Sequence, residues 1–266
     1  MQLSSLIRYP LKSCRAEPLH RSQVGPRGLE HDRRWMVVDA DGKFITARKT
    51  PALLTVLVEA GVDGTLRLKA EGHGGCEATV PKTPHTIAST VWGDACEATH
   101  VGGADPWLSQ LLEQPARLVY MPDALHRPVD PEFALDGDVV SFADGFPLLV
   151  ANQSSLDDLN TRLDSAITMA RFRPNLVIEG AEPYEEYSWR RIRVGDIELS
   201  YGGPCVRCVM TTRDPETGDT DGSGEPLKTL STYQRNDSGA IFGVNFIPRG
   251  AGALVVGQTV EVLARA

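Results

Sequence analysis

Arg34-Trp35-Met36-Val37-Val38 runs into Asp39-Ala40-Asp41-Gly42 and leaves as Lys43-Phe44-Ile45-Thr46-Ala47-Arg48. β-Branched and aromatic residues on both sides of an Asp-Gly bend predict a β-hairpin, because glycine supplies the positive φ of a tight turn. The same grammar recurs outward from this stretch. Leu53 to Glu59 and Thr65 to Ala70 read as a second strand pair, joined through Gly61-Val62-Asp63-Gly64. Pro147-Leu148-Leu149-Val150 reads as a buried strand. Leu176-Val177-Ile178, Arg191 to Val194 and Ile197 to Leu199 read as further strands, and Ala253 to Leu263 as strand, glycine turn, strand. Helical spacing is scarce. Pro106 to Glu113 reads as a short helix with Asp105 as its N-cap, and Ser154 to Leu163 as a helix capped by Ser154 or Ser155. The expected class is α+β, strand-rich and leaning to barrels, with a few helices. Residues 121–145 are rich in Pro, Asp and Gly and separate two expected domains, 1–120 and 121–266.

A chain of 266 residues with 41% apolar and 23% charged residues builds a core without staples, and its composition is not that of a disordered chain. Its formal net charge of −8 argues against general nucleic-acid binding, which needs a basic face. No apolar run approaches the ~18 residues of a membrane span. The start, Met1-Gln2-Leu3-Ser4-Ser5, lacks the pattern of a signal peptide, so a cytoplasmic protein is expected. Five cysteines, an odd count, argue against a disulfide framework.

Two of the five lie close together, in Gly202-Gly203-Pro204-Cys205-Val206-Arg207-Cys208. The spacing suits a thiol redox pair, but the following Val209-Met210-Thr211-Thr212 is β-prone and no parallel crossover surrounds it. A zinc site would need two further ligands at short spacing, and the histidines offer none. Two structural cysteines remain a reading. The flanks add another: Gly-Gly-Pro opens the backbone, and Arg207 between the thiols favours a thiolate, which is a good soft ligand for a transition metal.

Basic and polar residues recur at expected strand edges: Lys12-Ser13 after Tyr9-Pro10, Arg33-Arg34 before the first hairpin, Arg48 at its end, and Arg171, Arg173 and Asn175 before a buried strand. Singly each reads as a solvated charge. Together they form a set able to recognise an anionic phosphate through charge-assisted hydrogen bonds. Phe242-Gly243-Val244-Asn245-Phe246 reads as a strand with a glycine bulge. Asp214 is the nearest carboxylate after the cysteine pair, and its Asp-Pro-Glu-Thr-Gly setting reads as a capped loop.

In combination these segments resemble a known family. Tyr9-Pro10-Leu11-Lys12-Ser13, Gly28-Leu29, Asp32-Arg33-Arg34-Trp35 and Thr46-Ala47-Arg48 are similar to a MOSC N-terminal domain. Arg171-Phe172-Arg173-Pro174-Asn175, Cys205 to Cys208, Gly224-Glu225-Pro226-Leu227 and Phe242 to Asn245 are similar to a MOSC domain. The resemblance covers nearly the whole chain and points to the amidoxime-reducing components and their bacterial counterparts. It implies a β-rich N-terminal domain packed beside a MOSC β-barrel, with a molybdenum cofactor (molybdenum on molybdopterin) between them. It implies Cys208 as the protein's sulfur ligand to the metal and the catalytic residue. It implies cofactor contacts from Lys12, Ser13, Arg33, Arg173 and Asn175, and also from Arg207 and Asn245. The implied activity is reduction of a small N-hydroxylated substrate, N–OH to N–H. No ferredoxin-like cysteine cluster follows before Ala266, so electrons are expected from a separate flavin or iron–sulfur protein, with no nucleic-acid or membrane partner. The alternative functions are a cofactor carrier or sulfur-handling module without turnover, and a thiol redox protein using Cys205 and Cys208.

Overall fold

The computed structural model describes residues 1–61 and 63–266, and its class is strand-rich α+β, as expected. The largest sheet runs in spatial order through Val260–Arg265, Trp189–Val194, Ile197–Val206, Gly239–Pro248, Leu148–Asn152, Leu176–Glu179, Gln2–Arg8 and Glu17–Leu19. Neighbours are antiparallel except Leu148–Asn152 and Leu176–Glu179, which are parallel. A parallel pair needs a long crossover, and the helix Gln153–Asn160 lies within it. The sheet curls until its ends meet. Val260 N donates to Met1 O at 3.0 Å, Leu3 N to Gln258 O at 2.9 Å and Gly257 N to Leu3 O at 2.8 Å. Closure removes open edges and wraps the strands around one apolar core that includes Leu3, Val150, Ile178, Trp189, Ile192 and Phe246.

The first half adds two antiparallel sheets. One orders Trp35–Val38, Arg117–Tyr120, Asp94–His100 and Thr86–Val91; the other orders Leu57–Ala60, Thr65–Ala70 and Gly74–Thr79. Trp35, Val37, Leu53, Leu66, Leu108 and Leu118 share a core between them. The earliest strands do not stay with this half. Gln2–Arg8 pairs with Leu176–Glu179, and Arg21–Gly25 pairs with Gly252–Val255. Among the described residues no helix is long and apolar enough to cross a membrane.

Several local expectations are corrected. The Asp39–Lys43 turn forms, with Asp39 N donating to Lys43 O at 2.8 Å and Gly42 at φ +80°. Its return arm makes only isolated bridges, from Phe44 to Val38 and from Lys43 to Thr90. Trp35–Val38 instead pairs along its length with Arg117–Tyr120. The chain turns again after Thr46, whose carbonyl accepts from both Lys49 N and Thr50 N. Leu53 to Thr55 lies in the 3-10 turn Pro51–Thr55, which proline at its start favours, and the strand begins only at Leu57. In the expected turn from Gly61 to Gly64, Val62 lies outside the described residues. Asn152, not a serine, caps the helix Gln153–Asn160 by accepting from Ser154 N. Asp105 is the first helical residue of Asp105–Leu112 rather than its cap, and its carboxylate accepts from Leu118 N at 2.8 Å. The strands Gly252–Val255 and Val260–Arg265 pair with different partners and form no hairpin. Val209–Thr212 is a 3-10 turn, not a strand: the Thr211 and Thr212 hydroxyls donate to the carbonyls of Cys208 and Val209, three residues back.

Candidate functional site

A cavity opens where the N-terminal turn, the first-half sheets and the barrel meet. The eight residues that the family resemblance implies all line it: Lys12, Ser13, Arg33, Arg173, Asn175, Arg207, Cys208 and Asn245. Of the basic set read from the sequence, Arg34 and Arg171 do not, Arg34 being bonded to Met121 O and Asp123 and Arg171 to Thr211 O. Thr46, Arg48, Trp92, Asp144 and Phe146 complete much of its wall.

The N-terminal turn is held by backbone. Lys12 N donates to Trp35 O at 2.9 Å, Arg33 N to Tyr9 O at 2.9 Å, and Tyr9 N to the Asp32 carboxylate at 2.8 Å. These bonds bring Lys12, Ser13 and Arg33 to one rim. Tyr9 is fully buried, and its ring carries the guanidinium of Arg33 at 4.3 Å and that of Arg173 at 4.1 Å. One aromatic ring thus positions two cations, and cation–π attraction offsets part of their mutual repulsion. Arg173 follows the turn Met169–Phe172, which is pinned by Phe172 stacking on Phe242 with ring centroids 3.8 Å apart.

Backbone strain concentrates here. Among the described residues seven non-glycine residues have positive φ, and four of them, Ser13, Arg33, Trp92 and Arg173, line this cavity. Each such conformation costs on the order of 1–3 kcal/mol, and such residues cluster at functional sites. Trp92 shares a two-residue hairpin loop with Gly93, between Thr86–Val91 and Asp94–His100, and both have positive φ. This is the geometry of a type I′ turn.

The polar groups divide into those already engaged and those left open. Lys12 is 6% exposed; its ammonium donates to Phe142 O at 2.7 Å and to the Asp144 carboxylate. Burial pulls the Lys12 pKa down, and Asp144 opposes that pull. Asp144 also accepts from Trp92 Nε1 at 2.8 Å and lies 3.8 Å from Arg48. Partial enclosure opposes its ionisation, but Lys12, Trp92 and Arg48 outweigh it and hold the carboxyl below the ordinary carboxylate range. Arg33 is paired with Asp32 at 2.6 Å and bonded to Asn175 Oδ1 at 3.1 Å. Asn175 spends its whole amide internally, also accepting from Leu149 N and donating to Ile7 O. It therefore acts as a brace for Arg33.

The open groups differ. The Arg173 guanidinium has no hydrogen-bond or carboxylate partner among the described residues, only the Tyr9 ring. Burial pulls its pKa down, with repulsion from Arg33 adding to the effect, yet a guanidinium stays charged at neutral pH. Arg207 donates to Phe172 O at 2.7 Å and to Cys205 Sγ at 2.8 Å, while its buried Nε has no partner. Arg207 thus addresses Cys205 rather than Cys208. The Cys208 thiol, the Ser13 hydroxyl and the Asn245 amide likewise make no side-chain hydrogen bond among the described residues. In a chain of net charge −8, one wall presents two cations without carboxylate partners beside a free thiol.

That donor set fits a ligand that is anionic, rich in acceptors and bears a metal able to take a soft sulfur ligand. Among the described residues no group of three or more His, Cys, Asp or Glu is placed to hold a metal ion, so most ligands would have to come from the cofactor itself. A molybdenum cofactor on a pterin, which brings its own sulfur ligands and a phosphate, would fit those terms, with Cys208, Arg173 and Arg207 as the groups placed to hold it.

Asp214 takes no part. Its carboxylate accepts from Glu216 N and Thr217 N, which is the loop cap expected from its sequence. The residues that sequence reasoning did not place in the site, Trp92 and Asp144, carry one local signal between them, the Trp92-Gly93 hairpin tip.

Comparison with known proteins agrees with the class that this fold and cavity define. Residues 1–115 match the family model of the MOSC N-terminal beta barrel domain, and residues 137–261 match that of the MOSC domain. The chain is 35% identical to mitochondrial amidoxime-reducing component 1 of Homo sapiens, over 96% of this chain and 81% of that protein. It is 34% identical to the corresponding protein of Mus musculus, over 96% and 80%, and 30% identical to component 2 of Homo sapiens, over 95% and 80%. The chain therefore belongs to the MOSC-domain family, together with the amidoxime-reducing components. Among solved structures, YiiM from Geobacillus stearothermophilus aligns at 12% identity over 46% of this chain and 54% of its own, with a TM-score of 0.33.

Proposed function

We propose that this chain is a molybdenum-cofactor-dependent reductase of N-hydroxylated compounds, supplied with electrons by a separate redox protein. One observation carries the reading: a free Cys208 thiol shares a cavity with the unpartnered Arg173 and the half-partnered Arg207. The kinship with proteins named for amidoxime reduction supports the choice of substrate class.

The net reaction takes R–NH–OH, two electrons and two protons to R–NH2 and water. When bound, the cofactor supplies the two-electron, oxygen-accepting redox chemistry. The chain's residues do the rest. Cys208 would give the metal a thiolate ligand, Arg173, Arg207 and Ser13 would donate to the pterin and its phosphate, and Asn245 would offer an amide with both donor and acceptor. Asn175 holds Arg33 so that its charge faces the cavity. Lys12 fixes Asp144 as an ionised acceptor at the mouth, where an N–H or O–H of a substrate can bond to it. Trp92, Phe146 and Phe172 exclude water from the wall, which strengthens every charge interaction inside.

The test is benzamidoxime reduction with a chemical electron donor. Wild-type protein from a molybdenum-replete host is expected to turn over. Cys208→Ser is expected to fold and lose activity, by about a hundredfold or more if the thiolate is a metal ligand. Full turnover by the serine variant would refute the ligand assignment. A wild type that holds the cofactor without turnover would favour the carrier reading.

A further inference from the structure

A second cavity adjoins the first. It encloses about 590 Å³ and is lined by residues 94–96, 125–131 and 144–145. On the same measure the first holds about 170 Å³. The second lies within the ~300–1,000 Å³ typical of small-molecule sites, and the first is the one whose lining the reductase reading gives to the cofactor. The two share one seam, Asp144 and Gly145.

The seam is both rigid and open. Arg127, 6% exposed, donates to the carbonyls of Ser141 at 3.0 Å, Ala143 at 2.6 Å and Asp144 at 3.0 Å, and its Nε donates to Asp94 at 2.9 Å. A guanidinium spent this way is a brace for the 141–144 backbone, not a free cation for a ligand. At Gly145 a Cβ would meet nothing within 4 Å, so nothing fills the space beside it. Leu125, Pro128, Val129 and Pro131 give the second cavity an apolar face. Its ionisable lining groups besides Arg127 include His126 and three carboxylates, of which Asp94 is paired with Arg127, Asp144 with Lys12, and Asp130 with no cation among the described residues.

We infer that the second cavity receives the non-reacting body of the substrate, an aryl or alkyl group without negative charge, while the N–OH end reaches across the Asp144–Gly145 seam into the first. The inference rests on the reductase reading. It also implies discrimination against substrates whose body carries a carboxylate, through repulsion by Asp130, the lining carboxylate that has no ion-pair partner among the described residues.

Two measurements on the cofactor-loaded protein test it. Cys96 lines the second cavity, and Cys76 lies outside both. Alkylation by iodoacetamide, followed at each cysteine by peptide mass spectrometry, is expected to slow at least about fivefold at Cys96 with saturating benzamidoxime and to stay unchanged at Cys76. Ala95, on Asp94–His100, lines only the second cavity. Ala95→Phe is expected to lower the ratio of kcat/KM for benzamidoxime over hydroxylamine about tenfold. In the wild type, 4-carboxybenzamidoxime is expected to be poorer than benzamidoxime. If the wild type reduces both benzamidoxime and hydroxylamine but Cys96 is unprotected, or the Ala95→Phe ratio is unchanged, the substrate-body assignment is wrong. If the wild type reduces neither, the reductase reading itself fails.

Discussion

Arg33 Nη1 donates to Asn175 Oδ1 at 3.1 Å, joining residues 142 positions apart in the chain. The bond crosses from the N-terminal turn to the barrel and holds a cation at the cavity rim. Asn175 is 1% exposed and uses every amide atom, two of its bonds going to the backbone of Leu149 and Ile7. Asn175→Ala leaves these partners buried and unmatched. The expected cost is about 2–4 kcal/mol, read as a lower urea midpoint at unchanged slope. A loss under about 0.5 kcal/mol would show that the brace is unimportant.

Ser13 sits at φ +73°, a conformation glycine adopts freely. Its hydroxyl makes no hydrogen bond among the described residues. Ser13→Gly is therefore expected to leave the cofactor-free fold as stable or to stabilise it, by up to about 1 kcal/mol, while lowering cofactor retention. Calorimetry of the cofactor-free protein and phosphate-to-protein stoichiometry of the loaded protein check the two halves separately. A clear destabilisation of the cofactor-free variant would assign Ser13 a structural role instead.

Glu186 is fully buried beside the helix Gln153–Asn160, its carboxylate bonded by Ser155 Oγ and Asn152 Nδ2. Burial raises its pKa from the usual 4.5 to about 7, against the pull of those hydrogen bonds. The folded state thus keeps this proton to higher pH than the unfolded chain does. Its contribution is complete below pH ~4 and is lost as pH rises through about 7, in all about 3 kcal/mol. Glu186→Gln is expected to remove that decline and to exceed the wild type in stability at pH 8. Unfolding curves between pH 5 and 8 decide it; parallel pH dependence in both proteins would contradict the assignment. Asp144 contributes with the opposite sign, since its pKa is lowered: its stabilisation holds above pH ~4 and is lost on further acidification.

How much of this was legible in the sequence depends on distance along the chain. The Asp-Gly turn at 39–42 and the buried strand after Pro147 are local, and both form. The partner of Trp35–Val38 is not local. It is Arg117–Tyr120, some eighty residues on, and a longer ladder outcompetes the short return arm. The closure of the barrel by Met1 and Leu3 on residues 257–260 leaves no pattern in either segment. The same division holds at the site. Lys12, Arg173 and Cys208 stand in short segments whose combination is recognisable. Asp144 lies in a Pro/Asp/Gly stretch that resembles any surface loop, and contacts distant in sequence, from Arg127, Lys12, Trp92 and Arg48, bring it to the cavity. Asn175 was legible as a site residue but not as a brace, because its partners Ile7 and Leu149 belong to strands distant in sequence.

The cavity's open groups make the molybdenum cofactor the central claim, and its content per chain tests that claim most directly. Molybdenum and pterin are to be measured in folded wild type and in Arg173→Ala, both purified from a molybdenum-replete host. The expected result is close to one of each per wild-type chain, and a loss of most of both in the variant, whose free guanidinium is gone. Folded wild-type protein carrying neither molybdenum nor pterin would contradict it.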